Sequence, residues 1–556
     1  MATRTKTLWY ATRLAADVTD ATLTALTQIT VYTENSSRVF RSALVWLSFE
    51  DKITATGGTI TEFRCACSVN GAGATTVTET DDIANSGENM AGLLGPFDFT
   101  SHFTTNYPAA DAATLDLSVY FDQNTGTTLG MRNVGALIAI TYEYDDSAAT
   151  QYQTAIIPLE SVVGAHATTE TEIGTNQIPQ LTGSGGLLEN VAGVTVRQQF
   201  FLTEGNDELA GGTTDYTLNV RIDTGTTHTF GVSERALGSD CFKRFVHVES
   251  PSAGAVHAFK AWTTGAGALN HAAHTMYVTY QFTVSGTTEF LNSIQIPFYM
   301  DGTLGGTAET DKSRVALPYF IEEPTTITLK QSAVRLYFSD VAAVAGLNVG
   351  VGGQSYRAYT HNAAAVCGSQ LLQQRIDSGG AQGAGVTVAR GKNEIVVNAY
   401  RTDATDKCYG VAGIVFLNYK SAVSSQGIGA HNHTTVWGVM DQDALVTAER
   451  ESSAVAPVIP ESNYWVNSVG FETLSYPGTS TVSCLTVKAE LASGEGAGAG
   501  WRTLMATVHV RDTEQGPCIL FGQACAHYDR WPLDTDPSRM AIETTRLYRL
   551  CPVGSG

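Results

Sequence analysis

The sequence predicts an all-β protein made of four tandem antiparallel β-sandwich or jelly-roll-like domains joined by extended connectors. Three observations lead to this fold class. Apolar and polar residues alternate with period two in many short runs that are rich in β-branched and aromatic residues. The signature of a parallel sheet, in which strands alternate with long helices, is missing. The pattern of runs also recurs at a spacing close to 139 residues, and four such segments fill the 556-residue chain.

The clearest strand pattern lies between Thr114 and Asp146. Leu115–Phe121 and Gly135–Tyr144 both carry apolar residues at every second position, so each can bury one face. The stretch between them is rich in Asn and Gly, which are typical turn residues. The sequence therefore predicts two strands joined as a β-hairpin.

The repeat consists of an opening strand, a closing strand and a connector that contains a small residue followed by Glu. Similar opening strands are Ala43–Phe49, Val194–Leu202, Ala333–Phe338 and Val466–Phe471. Similar closing strands are Gly135–Tyr144, Met276–Val284, Gly413–Tyr419 and Cys518–Phe521. The connectors share Thr33-Glu34, Thr169-Glu170, Ala308-Glu309 and Ala448-Glu449. A period of this length matches a complete domain rather than a solenoid repeat.

The repeat places the domain boundaries. We expect residues 1–146 to hold an N-terminal arm and the first sandwich, 147–285 a connector and the second, 286–420 a connector and the third, and 421–556 a connector and the fourth. Long structureless loops are unusual in compact domains, so the connector after residue 146 should contain strands of its own. Cys367–Arg375 is the best candidate for a short helix of one or two turns.

Composition and charge exclude several classes of function. The chain carries 33 basic and 54 acidic residues, a net charge of −21, so direct nucleic-acid binding is not expected. No apolar run is long enough to cross a membrane as a helix. The N-terminus lacks the apolar core of a secretory signal, so we expect synthesis and assembly in a cytoplasm. The nine cysteines form no CxxC pair, and we expect buried free thiols, with Cys65 and Cys67 on one face of a strand.

The sharpest candidate for a metal site is the segment Gly429–Gly438. His431 and His433 lie two residues apart, which puts both imidazoles on one face of an extended strand. The tripeptide His431-Asn432-His433 resembles the HxH motifs of some trimeric phage tail spikes and fibres, and this resemblance implies a metal ion held at a symmetry axis. The alternative is a polar connector loop. We predict no metal site or cofactor, with His431 and His433 kept as the metal candidates.

No pattern of catalytic residues stands out, so we expect a protein that is not an enzyme. A GxSxG elbow, a calcium loop and a phosphate-binding glycine loop are all missing, and acidic pairs such as Asp145-Asp146 are typical of solvated loops. Three tryptophans admit two interpretations, a sugar-stacking platform or ordinary packing in the core or an interface. They are Trp262, Trp437 and Trp501.

The duplicated β-modules, the small charged fraction of 16% and the lack of a catalytic pattern indicate an architectural role. In these respects the chain resembles virion structural proteins of tailed bacteriophages. The resemblance implies a capsid-decoration, neck or tail-associated subunit located in the virion. Its partners would be copies of itself and other virion proteins, with a host surface glycan as a further candidate. The alternatives are a glycan-binding or glycan-degrading host-recognition fibre, and a cellular surface-layer or filament subunit.

Overall fold

The structure is a computed structural model of the 556-residue chain. It describes residues 3–14, 18–19, 22–34, 38–53, 59–79, 83–84, 91–124, 129–145, 150–164, 171–178, 181–182, 186–188, 191–209, 216–232, 241–249, 257–265, 269–285, 289–303, 308–321, 327–340, 345–351, 357–361, 367–374, 386–388, 391–401, 408–422, 469–475, 484–492, 501–509, 518–527 and 541–550. Within these ranges the chain forms antiparallel strands together with one short α-helix and one 3-10 turn. The predicted all-β fold class is confirmed.

The first unit comprises the strands between residues 3 and 145 and one helix, α1 (Thr100–Asn106). The strands are β1 (Thr3–Arg13), β2 (Val18–Thr19), β3 (Thr24–Ala25), β4 (Ile29–Tyr32), β5 (Val39–Ile53), β6 (Thr59–Val69), β7 (Thr75–Glu79), β8 (Ile83–Ala84), β9 (Ala91–Asp98), β10 (Ala112–Asn124) and β11 (Leu129–Asp145). One sheet has the order β1-β11-β5-β9, with β2 also paired to β11. The other has the order β3-β10-β6-β7, with β4 paired to β10 and β8 to β6.

The second unit comprises the strands between residues 150 and 285. They are β12 (Thr150–Gly164), β13 (Thr171–Ile178), β14 (Thr195–Leu209), β15 (Tyr216–Ile222), β16 (His228–Val232), β17 (Cys241–Glu249), β18 (His257–Gly265) and β19 (Leu269–Ser285). The two sheets have the orders β12-β19-β14-β17 and β13-β18-β15-β16. As expected, the stretch after residue 146 contains strands, and these strands, β12 and β13, belong to the sheets of the second unit.

The third unit comprises the strands between residues 289 and 422. A 3-10 turn at Glu309–Asp311 lies between its first two strands. The strands are β20 (Glu289–Thr303), β21 (Ser313–Ile321), β22 (Ile327–Asp340), β23 (Ala345–Val351), β24 (Arg357–His361), β25 (Cys367–Gln374), β26 (Val386–Val388), β27 (Gly391–Arg401) and β28 (Cys408–Ala422). The sheets have the orders β20-β28-β22-β25 and β21-β27-β23-β24, with β26 paired to β22.

The described strands of the fourth unit lie between residues 469 and 550. They are β29 (Val469–Ser475), β30 (Cys484–Ala492), β31 (Trp501–His509), β32 (Cys518–His527) and β33 (Ala541–Leu550). They form the sheet β29-β32-β33 and the pair β30-β31. Each sheet thus takes its strands from one of the four segments, while separate folding of four domains stays a prediction.

The first three units share one topology. The eight strands named in the two sheet orders of a unit can be numbered along the chain, leaving out the additional short strands β2, β4, β8 and β26. One sheet then has the order first-eighth-third-sixth and the other second-seventh-fourth-fifth. This double-sheet arrangement is the jelly roll. The opening and closing strands of the sequence repeat are the third and eighth strands, and they pair in every unit as β5-β11, β14-β19, β22-β28 and β29-β32. The strongest repeats therefore mark the centre of one sheet.

The predicted hairpin between Leu115–Phe121 and Gly135–Tyr144 is wrong. Both segments are strands, within β10 and β11, but β10 pairs with β6, whereas β11 pairs with β1 and β5. The chain therefore crosses from one sheet to the other between them. The local pattern indicates which face of each strand points into the core of its own unit, and it carries no information about which strand becomes the neighbour.

The helix predicted at Cys367–Arg375 is also wrong, because Cys367–Gln374 is strand β25 and pairs with β22. A short run such as this fits either state, and pairing to the edge of a sheet decides between them. The helix of the first unit, α1, lies instead at Thr100–Asn106, where no helix was predicted.

The core of the first unit lies between its two sheets. Leu117 and Val119 from β10 face Ile138 and Ile140 from β11, as the alternation of these residues predicts. The side chains that complete this cluster include Leu8, Tyr10, Val45, Leu47, Cys65, Cys67, Phe97 and Phe103. Cys65 and Cys67 are buried and free, as expected, and burial raises the pKa of the Cys67 thiol to about 12.

Candidate interaction site between the first two units

A buried carboxylate joins the first unit to the second. Glu34 follows β4, and its side chain is buried. Its Oε1 accepts hydrogen bonds from Nζ of Lys6 at 2.6 Å and from the backbone N–H of Tyr152 at 2.8 Å. Its Oε2 accepts from the hydroxyl of Tyr142. Because Tyr152 lies at the start of the second unit, Glu34 holds β12 against the first unit.

Lys6 completes this network from β1. Its ammonium also donates to the carbonyl oxygen of Tyr152 at 2.7 Å and lies 3.9 Å from the ring centroid of Tyr144. The two charges are thus paired with each other and with polar backbone groups, which a buried ion pair requires. The backbone of Tyr152 is therefore held at two points: its N–H donates to the carboxylate of Glu34, and its carbonyl oxygen accepts from the ammonium of Lys6.

The tyrosines of the site are held in the neutral form. Burial, and then the nearby carboxylate of Glu34, raise the pKa of Tyr142 above its ordinary value. Burial, and then the charge of Asp111, raise the pKa of Tyr152 to about 12. A neutral hydroxyl donates its proton, so Tyr142 acts as a donor to Glu34 at neutral pH.

Arg38 holds the backbone around Glu34 in place. Its guanidinium donates to Oγ1 of Thr33 at 2.8 Å, to the carbonyl oxygen of Glu34 at 3.0 Å and to that of Pro108 at 2.7 Å. It also lies 4.4 Å from the ring centroid of Tyr107. Burial lowers the pKa of Arg38 from its ordinary value, and several aromatic and acidic neighbours oppose this shift.

The repeat of a small residue and Glu marks Glu34 in the sequence, but its described counterpart has another environment. Glu309 is 60% exposed and forms an ion pair of 3.5 Å with Lys312, three residues on. Glu170 and Glu449 lie outside the described residues. The sequence thus pointed to Glu34 without indicating its partners.

The edge of β1 is closed by side chains of the second unit. The N–H of Trp9 donates to Oγ1 of Thr154 at 3.0 Å. The side-chain amide of Gln198 accepts from the N–H of Ala11 at 2.8 Å and donates to the carbonyl oxygen of Ala11 at 2.7 Å. An open strand edge is a template for further pairing, and these contacts occupy it. Nothing in the sequence pattern identified Gln198 or Thr154.

The sheet that contains β1 is buried on both faces. One face forms the core, and the other carries Trp9, Trp46, Leu137 and Ala139, which are at most 3% exposed. The rings of Trp9 and Trp46 stack with their centroids 5.6 Å apart. Strand β17 of the second unit lies against β1, β5, β9 and β11. This outer face is therefore an apolar contact surface between units.

The second and third units are joined in a similar way. The N–H of Leu291, in edge strand β20, donates to Oε1 of Gln153 at 3.3 Å. Strand β25 of the third unit lies against β12 and β19 of the second. Glutamine side chains from the second unit thus bind the edge strands of both neighbours, Gln198 at β1 and Gln153 at β20.

The metal candidates His431 and His433 lie outside the described residues, as does Trp437. Trp262 is half-buried, and the guanidinium of Arg221 lies 5.7 Å from its ring centroid, so this ring takes part in packing within the second unit. Trp501 begins β31. Across the described residues there is no group of three or more His, Cys, Asp and Glu side chains arranged to hold a metal ion. Among the same residues, no helix is long and apolar enough to span a membrane.

The fold and the junction define an all-β protein in which strands of one jelly-roll unit pack against a sheet of the neighbouring unit. No family model matches the chain, and no curated protein matches it. Among solved structures it is similar to PBCV-1 VP54, as fitted into a cryo-EM reconstruction of the virophage Sputnik, with 11% identity, a TM-score of 0.16, and 51% of this chain and 97% of that chain covered.

Two further similarities have comparable values. One is to a chain of the triple jelly roll and turret assembly in an archaeal virus, with 10% identity, a TM-score of 0.14, and 75% of this chain and 92% of that chain covered. The other is to a chain of infectious bursal disease virus, Gx strain, with 10% identity, a TM-score of 0.13, and 50% of this chain and 76% of that chain covered. The topology described above rests on the strand pairing of this chain itself.

Proposed function

We propose that this protein is a non-enzymatic structural subunit of a virus particle, which acts by assembling with copies of itself and with other virion proteins. The observation that carries the proposal is the sheet β1-β11-β5-β9, which is buried on both faces. A sheet that serves one isolated sandwich buries a single face and leaves the other to water. Here the second face is apolar, and the second unit packs against it.

Two further features support an architectural role. The chain closes its edge strands with side chains of the neighbouring unit, as Gln198 does at Ala11, which suits a protein that must pack in a defined way at high local concentration. The charged fraction of 16% lies below the roughly 25% usual for soluble proteins, which fits a molecule that buries much of its surface in an assembly. Within the particle, the proposed place is that of a capsid-decoration, neck or tail-associated protein of a tailed phage.

The test is the location of the chain in purified particles. Lysates of producing cells are separated on a density gradient, and the particle fraction is analysed by quantitative mass spectrometry and by immunogold electron microscopy with an antibody to this chain. We expect a fixed copy number per particle and labelling at one structural position. A chain that stays in the soluble fraction, with particles that lack it, contradicts the proposal.

A further inference from the structure

The ion pair of Lys6 and Glu34 places an amine beside a carboxyl carbon. Nζ of Lys6 lies 2.6 Å from Oε1 of Glu34, and the two residues are 28 positions apart in the chain. Because Oε1 is bonded to Cδ, this contact puts Nζ roughly 3–3.5 Å from Cδ, the separation from which two reacting atoms can form a bond directly. The pair is therefore arranged for attack of the amine on the carboxyl carbon as well as for an ionic contact.

Both oxygens of the Glu34 carboxyl group accept hydrogen bonds that stabilise the addition of an amine. The backbone N–H of Tyr152 donates to Oε1 at 2.8 Å, and the hydroxyl of Tyr142 donates to Oε2. Such donors stabilise the negative charge that develops on the oxygens when a nucleophile adds to the carbon. Burial raises the pKa of Tyr142, so its hydroxyl stays protonated and can also deliver a proton to a leaving oxygen.

Burial of the pair favours an uncharged product. The side chain of Glu34 is 0% exposed and that of Lys6 is 14% exposed, and the ring centroid of Tyr144 lies 3.9 Å from Nζ. Two charges in such a place carry a desolvation cost, whereas an amide has no charge to desolvate. The fold also holds the two groups together, which supplies the entropy that condensation of two separate molecules in water lacks. Condensation is therefore favoured here.

We propose that Lys6 and Glu34 form an isopeptide bond, a covalent cross-link for which the observed ion pair is the starting state. The ammonium and the carboxylate together become one amide and one water. The bond from Nζ to Cδ forms, the bond from Cδ to Oε2 breaks, and Oε2 leaves as water with the two protons that Nζ gives up. The hydroxyl of Tyr142 gives its proton to Oε2 and takes one of these two in return, so that it ends unchanged. The step needs no oxidant, reductant or further reactant.

The cross-link ties the edge strand β1 to the segment that follows β4. It restricts the unfolded chain as a disulfide does, because it closes a loop that no loss of hydrogen bonds can open. Strand β1 is also the one whose Ala11 binds Gln198 of the second unit, so the bond holds in place the edge on which the junction is built. This inference concerns a modification within one chain and does not depend on the proposed function.

The first experiment is mass spectrometry of the full chain, denatured after purification and again after prolonged incubation in the folded state. We expect an intact mass smaller than that of the sequence by one water, and a branched peptide whose fragments place the bond between Nζ of Lys6 and Cδ of Glu34. The control within the same molecule is the pair of Lys312 and Glu309, which is 3.5 Å long, 35% and 60% exposed, and should stay in linear peptides. A chain of full mass, with Lys6 and Glu34 in linear peptides at both times, overturns the inference.

Two variants test the chemistry, and near-UV circular dichroism reports whether each one folds. Lys6→Arg keeps the cation but replaces the amine by a guanidinium, a poor nucleophile, and should have the full mass of its sequence. Tyr142→Phe keeps the ring and removes the donor to Oε2, and should form the bond about a hundredfold more slowly. Loss of water in Lys6→Arg, or an unchanged rate in Tyr142→Phe, contradicts this mechanism. The measurement on the wild-type chain needs neither variant.

The outcome is separate from that of the proposed function. A chain found in particles without the bond overturns this inference alone. A cross-linked chain that is absent from particles contradicts the proposed function and supports the bond.

Discussion

The side-chain amide of Gln198 forms two hydrogen bonds to Ala11, one to its N–H and one to its carbonyl oxygen, at 2.8 and 2.7 Å. An amide side chain carries the same donor and acceptor as a peptide group, so Gln198 takes the place that a further strand would occupy beside β1. The two residues are 187 positions apart in the chain. The sheet of the first unit thus ends at a side chain of the second.

The first prediction concerns this pair. Gln198→Ala should leave the N–H and carbonyl of Ala11 without partners at a partly buried edge, and destabilise the junction by about 1–3 kcal/mol. Hydrogen exchange measured by mass spectrometry should show faster exchange in β1. The matched control is Gln28→Ala, which removes an exposed hydrogen bond of 2.7 Å to Asp116 and should change exchange little. Equal effects of the two variants would contradict the special role of Gln198.

The second prediction concerns the buried charge of Glu34. Glu34→Gln leaves the ammonium of Lys6 buried without a counterion, and removing one partner of a buried pair costs about 3–5 kcal/mol. Thermal unfolding followed by circular dichroism should show a clear loss of stability, and Lys6→Met in the same chain should recover part of it. For comparison, Glu143→Gln breaks an exposed pair with Arg41 and should cost less than about 1 kcal/mol. A similar cost for both glutamine variants would refute this account.

The third prediction concerns the apolar face between the units. Trp46 is fully buried against Trp9, so Trp46→Ala should cost about 3–5 kcal/mol through the lost contacts and the remaining cavity. Leu23→Ala, at an exposed position, is the control and should lie within about 0.5 kcal/mol of wild type. Chemical denaturation monitored by the fluorescence of the other tryptophans measures both. An unchanged midpoint for Trp46→Ala would mean that this face does not contribute to stability.

The fourth prediction compares two glycines with nearly equal backbone angles. Gly71 has φ +75° with nothing within 4 Å of an added Cβ, whereas Gly193 has φ +74° and an added Cβ would lie 2.5 Å from the carbonyl oxygen of Ser285. Gly71→Ala should cost about 1–2 kcal/mol from the left-handed conformation alone. Gly193→Ala should cost more, because the clash also disturbs the hydrogen bond from Ser285 N–H to the carbonyl oxygen of Gly193. Thermal melts of the two variants give the difference, and a larger cost at Gly71 would contradict the packing.

The fifth prediction is loss of stability at alkaline pH. Burial raises the pKa of Tyr142 and raises that of Tyr152 to about 12, whereas a tyrosine in the unfolded chain titrates near about 10. Between about pH 10 and about pH 12 the folded state binds more protons than the unfolded state. The free energy of unfolding therefore has its full value below about pH 10 and falls as the pH rises towards about 12. Melting temperatures across this range test it, and Tyr152→Phe should weaken the dependence. A flat profile up to pH 12 would argue against buried, neutral tyrosines.

The local pattern of apolar and polar residues predicted much of the fold. The alternation in β10 and β11 identified Leu117, Val119, Ile138 and Ile140 as core residues, because the side chains of a strand point to opposite faces in turn. The opening and closing strands that repeat in the sequence are hydrogen-bonded neighbours in all four units. The predicted hairpin was wrong because alternation is the same whichever sheet a strand joins.

By itself, the sequence determined that this protein is all-β and which faces of β10 and β11 point into the core between the sheets, because both follow from the polarity of residues close together in the chain. It also determined that the pattern recurs four times, which follows from comparing segments about 139 residues apart. That the opposite face of the sheet β1-β11-β5-β9 is buried as well was decided by the packing of the second unit. The tertiary structure alone decided the jelly-roll order of the strands, the partners of Glu34 and the hydrogen bonds of Gln198 to Ala11. Apart from the pair of Lys6 and Glu34, these side-chain contacts join residues more than a hundred positions apart. Their energy depends on burial and geometry that arise only when the sheets have packed.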